Sequence, residues 1–132
     1  MLKKFLILFV VQFFIINQSI SMEKETTFNK KLFDKAQSEG KIVVVSSWIK
    51  YCSSCASQMK VLNKAKSEGK LFDIKFDNIE YFSFDVTNKE ISNLLNVKFQ
   101  TTLLIFKNNN EVYRSLGETT EDLIYEALKK FI

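Results

Sequence analysis

Ile42-Val43-Val44-Val45-Ser46-Ser47-Trp48-Ile49-Lys50-Tyr51-Cys52-Ser53-Ser54-Cys55 decides how the rest of this chain is read, because an apolar β-branched run leads directly to its only two cysteines. Four consecutive apolar residues, Ile42 to Val45, are what a strand covered on both faces requires. Beyond the run, Cys55, Met59 and Leu62 recur at the i, i+4 and i+7 spacing of one helix face, with Lys60, Lys64 and Lys66 directed elsewhere. The two thiols therefore fall where a buried strand becomes a helix. The first turn of a helix holds unpaired N–H groups and a partial positive charge, so Cys52 is expected to ionise more readily than a free thiol of pKa about 8.5. Lys50, Ser53 and Ser54 add a cation and hydroxyl donors beside it. Cys55, three positions on, faces Cys52 across one helical turn. A thiolate is the species that attacks a disulfide, so the pair is able to cycle between dithiol and disulfide.

Trp48-x-x-x-Cys52-x-x-Cys55 after an apolar strand resembles the thioredoxin superfamily, whose Trp-Cys-Gly-Pro-Cys motif has a second Trp three residues earlier. Trp48 matches the earlier Trp, and Tyr51 replaces the one next to the nucleophile. The likeness extends from about Phe28 to the C-terminus. It implies an α/β chain of thioredoxin fold, with a central mixed β-sheet and helices on both faces. It implies a thiol–disulfide oxidoreductase in which Cys52 attacks and Cys55 resolves, with Trp48, Tyr51 and Thr101 near the substrate. Protein thiols or disulfides are the implied partners of a monomer that needs no cofactor. The segment from Asp85-Val86-Thr87 through Asn96-Val97 to Thr102-Leu103-Leu104-Ile105-Phe106 is most similar to the periplasmic thioredoxin-like reductases, such as the C-terminal domain of DsbD. The direction of exchange, reductase or oxidant, stays open with the reductase slightly favoured, and a membrane thiol reductase is a candidate electron donor.

Three positions depart from the family pattern. Thr101 stands where the family has a cis-proline; a non-proline cis bond costs about 2.5 to 4 kcal/mol, so a trans peptide is expected. Ser46 takes the place of a buried Asp that helps move the proton of the resolving thiol, and Tyr81 stands near the position of its partner lysine. Ser hydrogen-bonds but is no base near neutral pH. Ser53-Ser54 replaces Gly-Pro between the cysteines, where residues tune the reduction potential over a range from about −270 to about −120 mV in the superfamily.

Composition narrows the chemistry. The 132 residues suffice for one domain with a sizeable core, 46% hydrophobic and with 13 Phe. There is no Pro and no His. Without His the chain lacks the usual general base and the commonest metal ligand, so hydrolytic triads are excluded and no metal site is expected. Lys3-Lys4, the apolar run Phe5 to Ile16 and the small residues Ser19-Ile20-Ser21 read as a signal peptide over 1–21. The run is shorter than the roughly 20 apolar residues of a spanning helix, although an uncleaved tether is the alternative. Either way the domain is expected in an oxidising compartment, periplasmic or secreted. Without Lys3 and Lys4, the 19 basic residues become 17 against 15 acidic ones, and their scatter excludes nucleic acid.

Along the mature chain, 22–27 reads as a flexible lead-in to a thioredoxin-like domain over 28–132. Phe28, Leu32, Phe33 and Ala36 mark a helix face closing at Gly40, and the helix from about Ser53 closes near Gly69. Residues 71–79 fit no single period and read as a loop with one helical turn. Tyr81–Val86 is a strand; Thr87-Asn88-Lys89-Glu90 is a capping box opening a helix through Leu95. Thr102–Phe106 and Val112–Leu116 form a hairpin around Asn108-Asn109-Asn110, and Thr119, with Asp122, opens a last helix.

Other readings stay open at this point. Two cysteines in a secreted chain also serve as a structural clip, but a two-residue loop restrains the unfolded chain little, which favours a redox pair. Trp48 and Tyr51 also suit core packing, and Thr101 an ordinary loop. A thioredoxin-fold binding or chaperone-like module with little turnover is the main alternative. A metal or iron–sulfur centre held by four thiolates of two chains is the third.

Overall fold

A computed structural model describes residues 25–132. The expected signal segment and residues 22–24 lie outside the described residues. Helix α1 (Lys30–Ser38) is capped by Asn29, whose side chain accepts the Leu32 N–H at 3.0 Å, and it buries Phe33 and Ala36. Leu32, expected on the same face, is half-exposed. The chain reverses at Gly40, whose φ of +73° is a conformation that suits glycine. Strand β1 (Ile42–Trp48) follows, buried from Ile42 through Ser47 as a central strand must be. Helix α2 (Ser53–Glu68) buries Cys55, Met59 and Leu62 along the expected face and ends at Gly69 in the left-handed region.

Residues 70–75 correct the sequence reading. The expected loop with a helical turn is a small hairpin of β2 (Lys70–Leu71) and β3 (Ile74–Lys75), with Phe72 at a φ of +51° in its turn. Leu71, Ile74 and Phe76 are all buried; two short strands reversing within six residues give their side chains neither the helical nor the strand period. Strand β4 (Ile79–Asp85) begins two residues earlier than expected, because Ile79 pairs with Ile42 and is buried. Helix α3 (Lys89–Leu95) is capped by Asn88, which accepts the Ile91 N–H at 3.2 Å. The expected Thr87 cap is displaced because its hydroxyl donates to Asp85 Oδ1 at 2.8 Å. Strands β5 (Thr102–Lys107) and β6 (Asn110–Leu116) form the expected hairpin. Helix α4 (Glu121–Lys129) is capped by Thr120, one residue beyond Thr119, its side chain accepting from Leu123.

The larger sheet has the order β4-β1-β5-β6, with β1 parallel to β4 and antiparallel to β5, and β5 antiparallel to β6. Alternation along β1 sends Ile42 and Val44 into one core and Val43 and Val45 into the other. The first core is closed by α2, α4 and the small hairpin through Leu62, Ala65, Leu71, Ile124 and Leu128. The second gathers Phe28, Phe33, Phe82 and Phe84 under α1 and α3, with ring centroids 5.3 to 6.3 Å from Phe28. This is the expected thioredoxin fold, a mixed sheet with helices on both faces.

Glu25 to Thr27, the described part of the expected lead-in, lie hydrogen-bonded along β4. Thr27 N–H donates to the Ser83 carbonyl at 2.8 Å, Ser83 N–H to Thr27 Oγ1 at 2.9 Å, and Asp85 N–H to Thr26 Oγ1 at 3.1 Å.

Candidate active site

Three segments meet at the C-terminal end of β1: the end of that strand, the first turn of α2, and the loop before β5. Cys52 and Cys55 are joined in a disulfide with their Cα atoms 5.4 Å apart. Cys52 is the N-cap of α2, and its Sγ accepts the Cys55 N–H at 3.2 Å. That is the position where helix N–H groups favour negative charge on sulfur. The two sulfurs differ in access, since Cys52 is partly exposed and Cys55 is fully buried.

Thr101 faces both. Its Oγ1 lies 3.2 Å from Cys55 Sγ, 3.6 Å from Cys52 Sγ and 3.0 Å from Ser54 Oγ, and Ser54 Oγ is 3.4 Å from Cys52 Sγ. The described residues contain no cis peptide, so Thr101 has the trans bond its side chain calls for. Its φ is +59°, a strained conformation for a β-branched residue. The surroundings hold it there. Thr101 N–H donates to the Ser47 carbonyl at 2.8 Å, and its own carbonyl accepts from Gly117 N–H at 3.1 Å and Gln58 Nε2 at 3.4 Å. Both backbone groups are thus used within the fold, and the residue presents its hydroxyl to the sulfurs.

Ser47 and Gln58 are supporting residues that the sequence reading missed. Ser47 Oγ donates to the Phe99 carbonyl at 2.7 Å and accepts the Thr102 N–H at 3.0 Å, which stitches the loop to β1. Gln58 Nε2 also donates to the Glu118 carbonyl at 3.0 Å, tying α2 to the start of the α4 connection. The available signal was a polar residue one turn beyond Cys55, at a position the helix buries completely.

Trp48 is partly buried, and its indole N–H donates to the Glu25 carbonyl at 3.2 Å. Tyr51, with a φ of +63°, is 91% exposed, and Lys50 Nζ sits 5.1 Å from its ring centre. Ser46 and Tyr81 come together as a buried pair, Oγ to OH at 2.6 Å. Burial pushes the Tyr81 phenol well above its ordinary 10.0, with the Ser46 and Ser83 hydroxyls lowering it in part. The positions of the family's buried acid and lysine hold a neutral couple here. Among the described residues there is no group of three His, Cys, Asp or Glu side chains placed to hold a metal, and no helix long and apolar enough to cross a membrane.

Known proteins agree with this geometry. The family described as thioredoxin matches residues 19–130. No curated protein matches the sequence. Among solved structures, the Trxlp protein of Edwardsiella tarda is similar at 26% identity and a TM-score of 0.64, over 75% of this chain and 92% of that one. The thioredoxin of Fasciola hepatica gives 21% and 0.63 over 78% and 90%. Oxidised thioredoxin from Plasmodium falciparum gives 17% and 0.60 over 78% and 92%; these two identities speak for the fold alone. The match spans most of the sequence and takes in the bonded cysteines at the head of α2, so the chain belongs to the thioredoxin family and is a thiol–disulfide oxidoreductase.

Proposed function

We propose that this domain reduces disulfides of protein substrates outside the cytoplasm, acting as a monomer and taking its electrons from a membrane thiol reductase. The observation that carries the exchange chemistry is the unequal access of the two sulfurs: a partly exposed Cys52 at the helix tip and a fully buried Cys55 behind it. In the reduced domain the Cys52 thiolate attacks a substrate disulfide and releases one substrate thiolate. Cys55 then attacks Cys52 Sγ, the second substrate thiolate leaves, and the domain is left holding its own disulfide. A donor dithiol restores it. The exposed Tyr51 ring and the nearby Trp48 offer apolar surface to a substrate chain, and Thr101 faces the reacting sulfurs. The direction and the donor rest on the likeness to periplasmic thioredoxin-like reductases, and the location on the charged, apolar and small-residue segments of 1–21.

Insulin reduction by dithiothreitol tests the proposal. The wild type is expected to accelerate it and Cys52→Ser to return it to the uncatalysed rate; equal rates for the two proteins would overturn the reading. One observation favours the alternative of a binding module with little turnover: the neutral Ser46–Tyr81 couple supplies no base for Cys55. The same assay decides between them.

A further inference from the structure

Resolution requires Cys55 to lose a proton, and its sulfur is fully buried. Ser46 and Tyr81 are both neutral and both buried against each other, so that pair neither keeps the proton near neutral pH nor hands it to solvent. A different route starts at the hydroxyl next to the sulfur. Cys55 Sγ is 3.2 Å from Thr101 Oγ1, Thr101 Oγ1 is 3.0 Å from Ser54 Oγ, and Ser54 is exposed to solvent. Two hydroxyls thus connect the buried sulfur to water without a gap. A hydroxyl donates and accepts at once, so each passes a proton on and stays neutral.

We propose that Thr101 and Ser54 form a proton relay for the resolving thiol, in place of the buried acid whose position Ser46 holds. The proposal rests on the dithiol mechanism above. In the mixed disulfide, the Cys55 proton moves to Thr101 Oγ1 as the Thr101 proton moves to Ser54 Oγ and the Ser54 proton to solvent. The Cys55 sulfur then bonds to Cys52 Sγ, the bond from Cys52 to the substrate sulfur breaks, and its electron pair leaves with the substrate thiolate, which is reprotonated by solvent. No further oxidant or reductant enters. The strained φ of +59° at Thr101 fits this role, because strain in a β-branched residue persists where the surroundings fix it, and at functional sites it places a particular group.

Reaction of the reduced domain with dithiobis-nitrobenzoate separates the steps. The first nitrothiobenzoate released reports attack by Cys52, and the second reports resolution by Cys55. In Thr101→Val, which keeps the side-chain shape and loses the hydroxyl, the ratio of second to first rate is expected to fall about a hundredfold, the lower end of positioned proton transfer. Thr101→Ser is expected to recover the ratio to within about twofold of wild type, whereas Ser54→Ala, where water reaches the gap, is expected to slow the second release about threefold. An unchanged ratio in a folded Thr101→Val, or failure of Thr101→Ser to recover it, would overturn the relay. Should Thr101→Val not fold, an unchanged second release in Ser54→Ala would do the same. A wild type that releases only one equivalent would instead overturn the dithiol mechanism itself.

Discussion

Tyr81 shows how one substitution changes both the chemistry and the stability of this family's interior. Its phenol is buried against Ser46 and stays protonated above the ordinary value of 10.0, burial being the larger cause. An unfolded Tyr81 gives up its proton as pH passes 10.0 and the folded one keeps it. Above that pH the unfolded state therefore binds fewer protons, so stability falls as pH rises, by up to about 1.4 kcal/mol per unit for this group. Urea unfolding of wild type and Tyr81→Phe between pH 8 and pH 11 is expected to show a shallower alkaline decline in the variant. Lys41 and Lys64, whose acidities are shifted by Glu80 and Glu121, contribute equally to both proteins and cancel in the comparison. At this scale the sequence was informative where spacing alone speaks: Cys52, Cys55, Trp48 and Tyr51 are neighbours along the chain. Ser47 and Gln58 were not legible, because their partners lie 43 to 60 positions away and depend on strand register.

The ends of the elements are set by single side-chain hydrogen bonds. Asn88 caps α3 by accepting the Ile91 N–H, and Thr87 is taken up by Asp85 instead. Asn88→Ala is expected to cost about 1 kcal/mol, the usual loss of a cap. Thr87→Ala is expected to cost less than half of that; denaturant midpoints of the two variants check the order, and the reverse order would reassign the cap. Sequence patterns located every helix of the described domain to within a few residues, since the apolar spacing of α2 and the glycines after α1 and α2 are local signals. The β2–β3 hairpin was missed because four paired residues are too few to show a period. Thr119 and Thr120, like Thr87 and Asn88, are adjacent residues that both make good caps, and only the fold chooses between them.

For the whole molecule, the mixed sheet follows from one run, Ile42 to Val45, which is apolar on both sides and so needs a helical layer on each. The order of elements along the chain was enough to name the fold, and four of the 13 phenylalanines, Phe28, Phe33, Phe82 and Phe84, fill the layer beneath α1 and α3 with Phe106 packed against them. The strand order leaves β4 and β6 as the two outer strands of that sheet. Residues 25–27 occupy backbone groups of β4 at Ser83 and Asp85, which blunts that part of the edge against a foreign chain, and β6, the other outer strand, carries the Glu111–Arg114 ion pair. A protein shortened to begin at Phe28 is expected to shorten the lag of heat-induced aggregation followed by light scattering, and an unchanged lag would show that the segment does not guard that strand. On that expectation three ordinary polar residues, Glu25, Thr26 and Thr27, act as a gatekeeper against intermolecular strand addition, a protection carried by the domain itself wherever it refolds.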